Sequence, residues 1–146
     1  MQTFLPYSNF QASARILDKK RCWKQVVEAA QIINVLEGRS VSWSKHPAVQ
    51  MWQGSTLSLK EYFNAFLEVC IEKHSINTKY EFFVIPGEAD DTPWWLGDHC
   101  FHKAMRARLI EKDEAFYAHL FISDKGFNNN KYLWPVMDGS QTFRII

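Results

Sequence analysis

Asp18, Arg21, Lys24, Gln25, Glu28 and Gln31 follow one another at steps that, on a helix, string their side chains along one side and its start. An acid framed by cations suits proton handling beside phosphates: Arg21, Lys24 and Gln25 bind backbone oxygens, and Glu28 stabilises a cationic intermediate. An ordinary solvated helix face has the same spacing. His46, between Lys45 and Pro47 at the expected start of a short helix, is placed to donate to a phosphate or act as an acid, and a plain capping histidine fits equally. Trp94 and Trp95, and later Tyr132 and Trp134, flank a basic segment carrying Lys103, Arg106 and Arg108. Rings beside cations suit stacking on an unpaired base, and tryptophans near a helix start also serve as core anchors. Asp98, His99, Cys100 and His102 invite a metal reading, but the helical zinc signature sets its histidines four apart with a glutamate between. No metal or cofactor is therefore expected, and His99 and His102 join the candidate nucleic-acid contacts. The sequence contains no glycine-rich phosphate loop and no GxSxG nucleophile turn.

Helices must position these residues. Phe10, Ala14 and Leu17 recur at helical spacing behind Ser8, which predicts a first helix capped by Ser8. Trp23, Val26, Val27, Ala30, Ile33 and Leu36 form the apolar stripe of a second helix over Lys20–Leu36, stopped by Gly38. HPAVQMWQG reads as a short third helix, and Leu57–Lys73 as a strongly apolar fourth, buried on most sides. Ile76–Pro93, with Pro86, Gly87 and the acidic run GEADD, reads as a loop. Two more helices are predicted over Asp98–Glu111, capped by Asp98, and Asp113–Phe121, followed by a turn and an aromatic tail. The expected architecture is one mainly α domain over residues 1–146, with long aromatic-rich loops.

With 146 residues, 47% of them hydrophobic and 15% aromatic, the chain carries enough apolar surface for a core in one domain. No run approaches a membrane span and the start lacks a secretory pattern, so a cytoplasmic protein is expected. Three cysteines without CxxC pairing argue against a disulfide framework and are read as buried reduced thiols. Net charge is +1 but unevenly spread: +5 over residues 1–60, −6 over 61–100 and +2 over 101–146. The basic first third suits phosphate contacts, or internal pairing with the acidic segment.

TFLPY, LDKKRCWKQVVEA, HPAVQMW, WLGD and YLWP, in that order and spanning nearly the whole chain, resemble the pyrimidine-dimer DNA glycosylases, a group distantly similar to phage endonuclease V. The resemblance implies a compact helical domain that binds damaged duplex DNA, kinks it and expels a base. It also implies an α-amine at the chain start that attacks the sugar carbon to give an imine, with a second-helix glutamate supporting glycosyl cleavage and strand scission. Two features depart from the family pattern. Where the family exposes a threonine by removing Met1, this chain has Gln2, a large residue that leaves Met1 in place, so either the Met1 amine serves or this chemistry is absent. The family glutamate aligns with Cys22, so the nearest acid is Glu28, almost two turns later. Arg21 matches a phosphate-contacting arginine of the family, and a second such arginine falls at Gln25.

Two functions follow. The first is a metal-independent DNA glycosylase, with abasic-site lyase activity, acting as a monomer through Met1, Glu28 and His46 on damaged or modified pyrimidines in duplex DNA. The second is a non-catalytic module that binds nucleic acid or protein on the same scaffold.

Overall fold

A computed structural model describes residues 1–145. The chain opens with an extended run, Thr3 to Pro6, that is buried along its length. Asn9, one residue later than expected, caps α1 (Phe10–Ile16), its Oδ1 accepting from the Ala12 N–H at 2.8 Å. Asp18 caps α2 (Lys19–Leu36), and His46 caps the single turn α3 (Pro47–Gln50). α4 (Thr56–His74) lies against α2 in the most extensive helix pairing. Asp98 caps α5 (His99–Lys112) as its sequence predicts, and Asp113 caps α6 (Glu114–Phe121).

The core follows from the apolar stripes. Val26, Ile32 and Ile33 of α2 meet Tyr62, Phe66 and Leu67 of α4, and Trp52, Trp95, Phe101 and Tyr117 close the cluster around them. Each large side chain removed from water contributes roughly 1.5–3 kcal/mol. Much of the aromatic surplus is spent here: Trp52 and Trp95 meet edge to face at 4.9 Å, and Tyr62 stacks on Phe66 at 4.1 Å.

The segment between α4 and α5 has no helix or strand, as its Pro, Gly and acidic residues predict. Side chains of α4 hold it instead. The Asn64 amide grips the backbone of Phe83 in both directions, at 2.8 and 2.9 Å. Asp91 accepts from the N–H groups of Leu57 and Ser58, both at 2.8 Å, and so caps α4 from a distance, because the Ser55 side chain makes no capping bond. The aromatic tail brings a difference from expectation, since β1 (Leu133–Pro135) pairs antiparallel with β2 (Phe143–Ile145), Trp134 opposite Arg144. Among the described residues, no helix is long and apolar enough to cross a membrane.

Candidate active site

The extended start of the chain has few backbone partners of its own, so buried side chains satisfy it. Gln25 Oε1 accepts from the Phe4 N–H at 2.8 Å, and the single proton of the Tyr62 hydroxyl is shared between the Phe4 carbonyl at 3.1 Å and Gln25 Oε1 at 2.8 Å. His102 Nδ1 meets the Leu5 carbonyl at 2.8 Å, and Arg106 donates to the Pro6 carbonyl at 2.8 Å. Because His102 Nε2 accepts from the Gly97 N–H at 2.9 Å, its proton sits on Nδ1, aimed at Leu5. Burial holds this imidazole below its ordinary value, so it stays neutral. These side chains fix the line along which residues 1–6 run.

That line ends at Glu28. The Gln2 N–H donates to Glu28 Oε2 at 2.5 Å, and Lys24 Nζ stands 3.9 Å from Oε1. Both belong to a cleft of about 300 Å³ lined by Met1, Gln2, Phe4, Lys20, Arg21, Lys24, Glu28 and Lys112. The carboxylate is 9% exposed while Lys24 is 67% exposed, so the acid forms the floor and the cation the rim.

Arg21 is oriented by Asp18 at 3.3 Å and by the Lys112 carbonyl at 3.4 Å. Burial pushes the Asp18 carboxyl up, but hydrogen bonds from Tyr117 and Arg21 outweigh it and hold the group below 3.8. Burial, then the charges of Arg108, Arg21 and Lys24, lower the Lys112 amine from 10.5 against the pull of Glu28. His46 does not line the cleft, yet it feels it. Burial first, then the positive chain terminus, lower its imidazole, and the charge of Glu28 opposes them. Its Nδ1 accepts from the Ala48 N–H at 3.0 Å, and its ring meets Trp43 and Trp134 edge to face.

Of the residues singled out in the sequence, Met1, Arg21, Lys24 and Glu28 converge here, and His46 is outside the lining but within reach of the charges of Glu28 and the chain terminus. Others take internal roles instead of facing a ligand. Gln25, Trp95 and His102 are buried, Gln25 and His102 by the contacts already described and Trp95 with its Nε1 donating to the Met51 carbonyl at 2.8 Å. Arg106 is tied to Asp124 at 2.7 Å as well as to Pro6. Tyr132 and Trp134 are buried too and stack no base in this conformation, although Arg108 lies 5.2 Å from the Tyr132 ring. Trp94 packs on Phe143, while Lys45 and His99 are exposed outside the cleft.

Cys22, where the family glutamate was aligned, is fully buried against α4, and the carboxylate present in the cleft is that of Glu28. Cys100 is exposed, contrary to the expectation of three buried thiols. Among the described residues no three His, Cys, Asp or Glu side chains gather as a metal site, and both nitrogens of His102 are engaged by backbone. Sequence reasoning missed Lys20 and Lys112. Lys20 was detectable, standing four residues before Lys24 as Lys24 stands before Glu28. Lys112 was not, because only the fold carries the end of α5 to the start of α2.

The chain threads its own first residues onto a carboxylate ringed by amines and a guanidinium, an arrangement whose chemistry suits an anionic ligand beside an acid. Residues 1–82 match a family model described as pyrimidine dimer DNA glycosylase, and the chain belongs to this family. Membership makes its activity that of a DNA glycosylase in kind, with DNA as its substrate. The matched part contains every residue lining the cleft except Lys112. No curated protein and no solved structure matches the chain.

Proposed function

We propose that the cleft excises a damaged or modified pyrimidine from duplex DNA and then cleaves the strand at the resulting sugar. The reading rests on one contact above all, the 2.5 Å approach of the Gln2 nitrogen to Glu28 Oε2 inside a cationic cleft. Lys20, Arg21, Lys24 and Lys112 bind the phosphates flanking the lesion. The α-amine of Met1 attacks the sugar C1′, the C1′–N bond breaks, and the base leaves with the bonding pair and takes up a proton. Glu28 stabilises the positive charge that develops on the sugar. Opening of the sugar ring then gives the imine between the amine and C1′. Glu28 accepts the C2′ proton, and the phosphate on C3′ departs with its bonding electrons. If Met1 is removed in the mature protein, the nitrogen of Gln2 becomes the attacking amine, already beside the acid. His46, its imidazole lowered by burial and then by the positive chain terminus, is near enough to feel both that terminus and Glu28 and is the third residue of the catalytic set.

Borohydride reduction in the presence of abasic-site duplex should trap a covalent complex, and peptide mapping should place the adduct on the first residue of the chain. An extension ahead of Met1 should abolish trapping and leave duplex binding intact. Duplex binding with neither adduct nor base release, across a panel of pyrimidine lesions, would reduce the cleft to a non-catalytic binding module.

A further inference from the structure

The core holds a pair of nucleophiles that glycosylase chemistry does not use. Cys22 on α2 and Cys70 on α4 are both fully buried, and their sulfurs stand 3.3 Å apart. Among the described residues the one other polar neighbour of the pair is the Phe66 carbonyl, 3.9 Å from Cys22. We propose that Cys22 and Cys70 are an oxidation site at which a peroxide joins α2 to α4 through an intramolecular disulfide.

A disulfide needs its sulfurs at about 2.05 Å, so the pair must close by little more than an ångström. Two helices that already share the most extensive packing in the fold can supply this by side-chain rotation. The two thiols are not equivalent. The adjacent Cys22 thiol lowers Cys70 against burial, whereas its neighbour and burial raise Cys22. With Cys70 as the attacking thiolate Cys22 is the resolving thiol, and the exchanged roles give the same product. The Cys70 sulfur takes one peroxide oxygen as the O–O bond breaks, giving a sulfenic acid, and the second oxygen leaves as water. The Cys22 sulfur then attacks Cys70 and expels the sulfenic oxygen as a second water. The balance is two thiols and one peroxide to one disulfide and two waters. Neither sulfur lines the Glu28 cleft, so the link tightens the helix that carries the cleft without entering it.

Cys100 is exposed and open to peroxide as well, so the test uses the Cys100→Ser variant of the full chain. After hydrogen peroxide, the protein is unfolded, treated with N-ethylmaleimide and weighed intact. The expected result is a mass lower by two hydrogens, no maleimide added, and a melting temperature raised by roughly 5–10 °C before unfolding, all reversed by dithiothreitol. Two maleimides per chain, at a peroxide dose that fully consumes Cys100 in the parent protein, would overturn the proposal. So would added oxygen without cross-linking, or a disulfide that leaves the melting temperature unchanged. None of these outcomes depends on whether the cleft cleaves DNA.

Discussion

Changing Glu28 to Gln keeps an oxygen for the Gln2 N–H and removes the charge, so it separates holding the chain start from doing chemistry. Base release in single-turnover assays should fall by about 10²–10⁴, the range for a positioned acid or base, while duplex affinity changes less than about threefold. A loss confined to affinity would assign Glu28 a binding role only. At this scale the sequence was a partial guide. Spacing on α2 put Arg21, Lys24 and Glu28 together, and they do share the cleft. Gln25 sits on the same helix at nearly the same angle, yet it turns inward to hold Phe4 and Tyr62. Helical periodicity says which residues are neighbours. It does not say that an extended chain start will be threaded past them, and so Gln25, His102 and Arg106 looked like ligand contacts when they secure residues 4–6.

The helices were legible mainly from their apolar spacing, with Asp98 also readable as the cap of α5; the cap of α1 is Asn9 where Ser8 was expected, and Asp18 and Asp113 cap α2 and α6 without having been singled out as caps. The hairpin was not, since three-residue strands are too short to show alternation and β1 ends in a proline. Asp18 shows how an element carries function. It caps α2 by accepting from the Arg21 N–H at 3.3 Å, also holds the Arg21 guanidinium, and exchanges hydrogen bonds with the Tyr117 hydroxyl of α6. Asp18→Ala removes the cap and leaves the Tyr117 hydroxyl, at a largely buried position, without its acceptor. The expected loss is about 2–3 kcal/mol in urea unfolding, with Asp18→Asn retaining at least half of that stability. Because Arg21 also loses its brace, DNA affinity should fall in the alanine variant even at temperatures where it is fully folded. Unchanged affinity would show that Lys112 alone suffices to orient Arg21.

Across the whole molecule, His46, His74 and His102 all have imidazoles lowered from 6.5, burial being the leading cause in each. Below 6.5 the unfolded chain takes up protons that the folded one refuses, so this contribution is complete above 6.5 and is lost as pH falls through the window beneath it. The melting temperature should be level from pH 7 to 8 and lower at about pH 5.5, as thermal unfolding can read. Charge has a second consequence at this scale. Pairing between the basic first third and the acidic segment could have consumed the cations, but among the described residues only Arg15 and Glu72, 3.9 Å apart, pair in this way. Glu61 and Glu68 line a separate cavity that shares no residue with the basic cleft. Lys20, Arg21, Lys24 and Lys112 therefore face one opening, with Glu28 as the acid at its floor. Each phosphate neutralised on duplex DNA releases about 0.9 of a condensed counterion, so four such contacts imply a slope near −3 to −4 for log affinity against log salt. Lys112→Ala should make that slope shallower by about one and weaken binding equally for all sequences, measured by fluorescence anisotropy over a sodium chloride series. A slope that the substitution leaves unchanged would mean that DNA lies elsewhere on the surface and that the four cations serve only to balance Glu28.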